Sequence, residues 1–232
     1  MSENIKKTTK AFRVDLDSSE NQSILKPNAR PSNNQVHQVN EAAKKIYELI
    51  KDARYSNDGI VLNHIKIREA FFSPFKPQLK NAQVFLSHSH ADKNKALKVK
   101  NYLEEYLDAE CVFIDSLFWD YKDDVLRKLA KYDDISRIKD AFTLILRESL
   151  EDMIKKYPCF VFLQSDNSTS DQGLSRITYS AWIYEELKIA HSIRENRPTP
   201  LMESMQVFHD ISPFLEHLET ITLRKLLHII NS

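Results

Sequence analysis

The sequence contains very little glycine: only Gly59 and Gly173 occur among its 232 residues. Glycine-rich loops bind phosphate groups in the P-loop and in the dinucleotide-binding fold, because their backbone must approach the phosphates closely. Two isolated glycines form neither loop. We therefore expect that any nucleotide is bound by side chains and by ordinary helix N-termini.

The chain also lacks an excess of charge of either sign, since Lys+Arg and Asp+Glu both number 33. Such a chain has no bulk attraction for nucleic acid or an anionic membrane, so neither is predicted as a partner. No run approaches the ~18 apolar residues of a membrane-spanning helix, and the segment MSENIKKTTK lacks the apolar region of a signal peptide. The two cysteines, Cys111 and Cys159, each lie in an apolar run. This favours buried thiols over a disulfide and predicts a soluble, cytoplasmic protein.

Apolar runs of strand length alternate with longer amphipathic segments in the C-terminal two thirds of the chain. Strands are predicted at about 82–87, 111–115 and 159–163, with a shorter one at 205–208. A helical segment follows each of them. This alternation predicts an α/β fold with a flavodoxin-like, mostly parallel sheet that is flanked by helices.

The N-terminal third has a different pattern. Residues 1–35 are mostly polar with scattered apolar positions, which predicts a flexible polar tail. Residues 36–77 contain two helix patterns, at 38–55 and 60–72. We therefore predict a tail, then a helical extension over 36–77, and then the α/β domain over 78–232.

The polar run Ser-His-Ser-His at residues 87–90 ends the first predicted strand of this domain. Ligands bind parallel α/β sheets where the strands end, so this run is a candidate site. The string His88-x-His90-x-Asp92 resembles part of the metallo-β-lactamase motif His-x-His-x-Asp-His, although Lys93 replaces the last histidine. A zinc metallohydrolase is therefore a remote alternative. The other interpretation is that both histidines cap the sheet.

A carboxylate on an apolar helix face is the second candidate. Tyr179, Trp182, Glu186 and Ala190 recur at three- and four-residue steps and share one face. Glu185 is rotated by roughly 100° from that face and is expected to be solvated. A carboxylate on an inward-facing stripe is unfavourable unless it is paired or used in a reaction. The pattern alone leaves a structural and a catalytic Glu186 open.

Several motifs over residues 80–232 resemble those of the TIR (Toll/interleukin-1 receptor) domain. Residues 84–89, Val-Phe-Leu-Ser-His-Ser, are similar to the opening strand of that domain, and Asp115 ends the second strand as in the family. Residues 164–167, Gln-Ser-Asp-Asn, are similar to its turn after the third strand. Residues 180–187, Ser-Ala-Trp-Ile-Tyr-Glu-Glu-Leu, resemble its Ser-x-Trp signature. The resemblance is strongest to bacterial TIR proteins, but the Pro-Gly of the usual loop after the second strand is absent.

The resemblance implies an NAD⁺ glycohydrolase or ADP-ribose cyclase in which Glu186 is the catalytic residue. It implies that the substrate is contacted by Ser87, His88, Ser89, Asp115 and Trp182. NAD⁺ would be the substrate, with no cofactor and no metal. Catalytic TIR proteins of this type, as in Thoeris-like anti-phage defence, deplete NAD⁺ or make a linear or cyclic ADP-ribose signal. The expected role is therefore in bacterial immunity.

The alternative from another class is a non-catalytic TIR scaffold that assembles partner proteins. Both functions share the fold signals, and a measurement of activity distinguishes them. The expected partners are NAD⁺, a further copy of the chain that binds through the TIR domain or the N-terminal helices, and a downstream effector that recognises the nucleotide product.

Overall fold

The computed structural model of the protein describes residues 9–25, 39–52, 55–56, 59–60, 63–72, 82–107, 112–131, 136–172, 175–192 and 209–231. In chain order, its elements are β1 (Lys10–Asp15), α1 (Ser19–Ile24), α2 (Val39–Asp52), β2 (Tyr55–Ser56), β3 (Gly59–Ile60), α3 (His64–Phe72), β4 (Val84–His88), α4 (Lys93–Tyr106), β5 (Val112–Ile114), α5 (Asp115–Leu129), α6 (Ser136–Lys156), β6 (Cys159–Gln164), β7 (Ser170–Gln172), β8 (Ser175–Thr178), α7 (Ala181–Ser192), β9 (His209–Asp210), α8 (Ser212–Leu215), β10 (Glu219–Thr220) and α9 (Leu223–Asn231). A short 3₁₀ turn, His90–Asp92, joins β4 to α4.

The central sheet has the strand order β10-β1-β6-β4-β5, and every neighbouring pair in it is parallel. Helices flank it, so the predicted α/β fold with a flavodoxin-like parallel sheet is confirmed. A flavodoxin-like sheet has the order 2-1-3-4-5. If β4, β5 and β6 are numbered 1, 2 and 3, the sheet runs 2-1-3 and then continues with β1 and β10. The N-terminal strand β1 therefore occupies the fourth position of the flavodoxin-like order.

Strands β4, β5 and β6 are buried on both faces, as long apolar runs require. Val84, Phe85 and Leu86 in β4 are all 0% exposed. The Phe85 ring stacks on Phe160 of β6 with a centroid distance of 5.9 Å. Cys159 is a buried free thiol, as the apolar run predicted, and burial raises its pKa to about 12; Cys111 lies outside the described residues.

The prediction of a flexible polar tail over residues 1–35 is wrong for residues 10–25, which form β1 and α1. Strand β1 lies inside the sheet, where it pairs with β6 over six residues and with β10 on its other side. Phe12, Val14 and Leu16 alternate along the chain and are 6%, 0% and 1% exposed. The apolar positions that looked scattered are therefore one strand pattern of period two.

The described chain divides into two compact units that do not coincide with the predicted parts. The first consists of residues 1–32, 81–115 and 151–232, and it contains the whole central sheet. The second consists of residues 33–80 and 116–150. It includes α2 and α3, and in its core Phe71 and Phe142 meet edge to face at a centroid distance of 5.6 Å.

Outside the central sheet, the structure describes a small antiparallel sheet near α7. A second, antiparallel sheet has the order β7-β8-β9 and precedes and follows α7 in the chain. The strand predicted at 205–208 lies outside the described residues, immediately before β9. Among the helices that the structure describes, none has the length and apolar character needed to cross a membrane.

Candidate active site

The carboxyl ends of β1, β4 and β6 lie at the same edge of the sheet, because the three strands are parallel neighbours. Polar residues begin where each strand ends: Asp17 after β1, Ser87 and His88 in β4, and Ser165 after β6. This edge is where parallel α/β sheets bind ligands. The polar run that the sequence analysis singled out therefore lies at the expected place.

Glu186 of α7 and Ser87 of β4 form the centre of the site. The Ser87 hydroxyl donates a hydrogen bond to Oε2 of Glu186. Both residues are 0% exposed. A carboxylate that is removed from water in this way requires hydrogen-bond donors, and Ser87 supplies one from the end of a rigid strand. Of the predicted helical face, Glu186 and Ala190 are buried, whereas Trp182 is half-buried and Tyr179, which precedes the helix, is 67% exposed.

Local structure fixes the start of α7 and hence the position of Glu186. The Ser180 hydroxyl accepts a hydrogen bond from the backbone N–H of Ile183 at 3.3 Å, as at a capped helix N-terminus. The backbone N–H of Ser180 in turn bonds to Oγ1 of Thr178, the last residue of β8, at 3.2 Å. Glu186 follows one turn after Trp182, so its side chain is placed by a short, well-anchored helix.

The structure places His88 and Ser89 beside Ser87 at the end of β4, and Trp182 one turn before Glu186 on α7. His88 is 3% exposed and ends β4, where it is in register with Leu163 of β6. Ser89 and Trp182 are half-buried. Asp115 is the first residue of α5, directly after β5, and its side chain lies outside the described residues.

The expectation that Glu185 is solvated is wrong, since this residue is only 2% exposed. Helix α7 is buried over a wide arc that includes Ile183, Leu187 and Ile189 in addition to Glu186. The argument from helical rotation assumed one narrow buried face. A helix that contacts other elements on two sides buries residues at adjacent positions as well.

Sequence reasoning gave Asp92 a functional role only as a zinc ligand, although Asp92-Lys93 also belongs to the string that resembles a TIR domain. Asp92 is 1% exposed, and its carboxylate accepts hydrogen bonds from the Ser165 hydroxyl and, at 2.9 Å, from the side-chain amide of Asn167. Lys95 Nζ lies 3.6 Å from it. Asp92 therefore fixes the turn after β6 beside the end of β4, and its signal in the sequence was the similarity of residues 164–167 to a TIR turn.

Asp17 extends this network to β1. Its carboxylate accepts a hydrogen bond from Lys95 Nζ at 2.7 Å and one from the backbone N–H of Asp166 at 3.1 Å. The hydrogen bond from Lys95 lowers the pKa of Asp17, and the same bond raises the pKa of Lys95. Sequence reasoning missed Asp17 because it assigned this residue to a tail.

The structure gives no support to the zinc arrangement. Within the described ranges, no group of three or more His, Cys, Asp or Glu side chains is placed to hold a metal ion. His88 is buried, whereas His90 is exposed. The carboxylate of Asp92 is engaged by Ser165 and Asn167.

The chemical capacity of the site follows from burial and charge. A carboxylate in a site that excludes water stabilises a nearby developing positive charge far more strongly than it does in water. Comparisons with known proteins add no assignment, since no family model, no curated protein and no solved structure matches the chain.

Proposed function

We propose that the protein is an NAD⁺ glycohydrolase or ADP-ribose cyclase of the TIR type, with Glu186 as its catalytic residue. The observation that carries this proposal is the fully buried carboxylate of Glu186 at the carboxyl edge of a parallel sheet, with the Ser87 hydroxyl bonded to it. The motifs over residues 80–232 that resemble a TIR domain support the same assignment.

The reaction needs only one carboxylate. In NAD⁺ the nicotinamide nitrogen already carries a positive charge, so the bond from this nitrogen to ribose C1′ breaks without a general acid. The bonding electron pair moves to the nicotinamide ring and neutralises it. Positive charge then develops on the ribose as an oxocarbenium-like transition state, which the Glu186 carboxylate stabilises.

The second half of the reaction determines the product. Attack of water on C1′ gives ADP-ribose and releases a proton, whereas attack by a nucleophile of the same molecule gives a cyclic isomer. His88, Ser89, Asp115 and Trp182 are the proposed substrate contacts around Glu186. Trp182 lies one turn before Glu186 on α7, where its ring can pack against the ribose or nicotinamide.

The proposed role is in bacterial immunity within the cytoplasm. NAD⁺ cleavage there would deplete the cell of NAD⁺, or its product would activate a downstream effector. TIR proteins act as assemblies, so we propose self-association through the TIR domain or the N-terminal helices. These parts of the proposal rest on the resemblance.

The test is nicotinamide release from NAD⁺ by purified protein, compared among the wild type, Glu186→Gln and Glu185→Gln. Both substitutions remove one buried carboxylate from adjacent positions of α7, so Glu185→Gln is a matched control for the loss of buried charge. We expect Glu186→Gln to lower the rate by a factor of about 10² to 10³ or more, as removal of a preorganised transition-state contact does. Chromatography of the nucleotide product separates hydrolysis from cyclisation.

Two outcomes would contradict the proposal. Glu186→Gln could retain the wild-type rate, or a folded Glu185→Gln could lose as much activity as Glu186→Gln. A wild type that releases no nicotinamide, even when it is concentrated and crosslinked into oligomers, would favour the non-catalytic scaffold.

A further inference from the structure

A cleft of about 280 Å³ lies on the helical layer of the first unit, between α1, α4 and α9. It is lined on one side by Ile24 and Leu25 and on the other by residues of α4 and by Arg224 of α9. Asn21 of α1 fixes the two flanking helices, since its buried side chain bonds to Asp15 O at 2.7 Å and accepts from the N–H of Leu223 at 3.0 Å. These two hydrogen bonds fix the position of α1 relative to β1 and α9.

Two tyrosines form one wall of the cleft. Tyr102 and Tyr106 lie one turn apart on α4, and their ring centroids are 5.3 Å apart at an interplanar angle of 60°. Tyr106 is 57% exposed, which is unusual for so large an aromatic side chain. An exposed aromatic ring at the mouth of a cleft provides a stacking surface for a planar ligand group.

Two cations lie beside the tyrosines. Lys98 precedes Tyr102 by one turn on the same face of α4, and Arg224 approaches from α9. Burial and the neighbouring Tyr106 raise the pKa of the Tyr102 hydroxyl, and the positive charge of Arg224 acts in the opposite direction, which places Arg224 beside Tyr102. In the part of the chain that the structure describes, neither Lys98 nor Arg224 forms an ion pair with a carboxylate. The two side chains are therefore available to an anionic ligand.

A polar group completes the lining between these walls. Glu105 and Asn101 lie on the turns of α4 between Lys98 and Tyr106. A carboxylate oxygen accepts hydrogen bonds from sugar hydroxyls, as acidic residues do for ribose in dinucleotide sites. Glu105 also disfavours an anion that lacks such donors, because a bare anion would be repelled by its charge.

We propose that this cleft binds a nucleoside monophosphate as an effector, with the base stacked on Tyr106, the phosphate at Lys98 and Arg224, and the ribose at Glu105. The cleft volume lies just below the usual range of roughly 300–1,000 Å³ for small-molecule sites, which suits a mononucleotide better than a dinucleotide. Helix α4 starts with Lys93 at the carboxyl edge of the sheet, and the first α4 residue that lines the cleft is Lys98, more than one turn further along the helix. The cleft is therefore a second site, separate from Glu186.

The experiment is titration calorimetry of the full chain with AMP, adenosine and inorganic phosphate, each up to about 1 mM. We expect AMP to bind saturably and the two fragments to bind more weakly, because each makes only part of the contacts. Arg224→Ala should weaken AMP binding by about tenfold or more, as loss of a charge-assisted hydrogen bond to phosphate does. Tyr106→Ala should weaken AMP and adenosine binding, with little effect on phosphate.

Lys225→Ala is the matched control, since it removes an exposed cation from the next position of α9 and should leave AMP binding unchanged. Arg224 and Tyr106 are both exposed, so neither substitution threatens the fold. Absence of AMP binding to the wild type overturns the proposal, as does equal binding by wild type and Arg224→Ala. AMP binding that survives Arg224→Ala but is lost in Glu186→Gln overturns it too, because AMP would then occupy the candidate active site. This test is independent of whether NAD⁺ is cleaved.

Discussion

The Ser87 hydroxyl donates a hydrogen bond to the fully buried carboxylate of Glu186, and this makes Ser87 the sharpest residue-scale test. Ser87→Ala removes the donor to Glu186 and leaves a carboxylate in a buried environment with one hydrogen bond fewer. We expect the free energy of unfolding to fall by about 1–3 kcal/mol, measured by urea denaturation. Nicotinamide release should also fall, because Glu186 loses a hydrogen bond that helps to orient its carboxylate.

Ser149→Ala is a suitable control for Ser87→Ala. Ser149 is also buried, but its hydroxyl donates to the carbonyl of Ile145 within the same helix, at 2.7 Å. Such back-bonds contribute little to stability. Equal destabilisation by both substitutions would show that the Ser87–Glu186 hydrogen bond has no special importance.

At this scale, the sequence predicted the burial of Glu186 and missed the residues around it. Helical phase identified Glu186, and the end of an apolar run identified Ser87, because both signals are local in sequence. The contact between Asp92 and Ser165 joins residues that are far apart in sequence, and no periodicity reports such a contact. The burial of Glu185 was mispredicted for the same reason, since it depends on which elements surround α7.

At the scale of elements, Asp17 and Lys95 connect the end of β1 to the start of α4. Because the pKa of Asp17 is lowered, its contribution to stability is present above the unfolded pKa of about 3.9 and is lost as the pH falls through the folded value. The pKa of Lys95 is raised, so its contribution is present below its unfolded pKa of about 10.4 and is lost at higher pH.

We therefore expect Asp17→Asn to destabilise the protein at pH 7 by at most about 1 kcal/mol, since both side chains are partly exposed. The difference from wild type should shrink as the pH is lowered below about 4, in denaturation curves recorded at several pH values. Asp171→Asn is the control: its carboxylate is 74% exposed and lies 3.3 Å from Arg176, and its loss should have no measurable effect. If the stability difference between wild type and Asp17→Asn instead grew toward low pH, the lowered pKa of Asp17 would be contradicted.

Strand β1 gives a second element-scale prediction. Val14 is 0% exposed and pairs with Leu163, so Val14→Ala should lower the free energy of unfolding by about 1.5–3 kcal/mol. Lys10→Ala, at an exposed position of the same strand, should change it by less than about 0.5 kcal/mol. If residues 10–15 were a tail, neither substitution would affect urea denaturation.

The strands β4, β5 and β6 were predicted because each is a continuous apolar run, which is typical of strands buried on both faces. Strand β1 was not predicted because it contains fewer apolar residues, which do not form a continuous run, and because polar residues surround it. The alternation of buried and more exposed side chains in β1 identifies it as a strand only once β6 and β10 are known to lie on either side of it. The register of a parallel sheet is a long-range property, and a local pattern specifies only the presence of a strand.

At the scale of the whole molecule, the division into two units predicts more than one unfolding transition. Each unit has its own buried aromatic residues: Phe160 in the first and Phe142 in the second are both 0% exposed. We expect calorimetry to show two transitions, with Phe160→Leu lowering one midpoint and Phe142→Leu lowering the other. A single transition that both substitutions lower equally would show that the chain unfolds as one cooperative body.

The position of β1 in the sheet has a consequence for the order in which the protein can form on the ribosome. Strand β1 is translated well before its two neighbours, since β6 begins about 140 residues later in the chain and β10 follows later still. At ribosomal rates of about 5–20 residues per second, the nascent strand waits on the order of ten seconds for its first partner. The edge that carries Ser87 and Asp17 therefore assembles only after residue 165 has emerged from the ribosome.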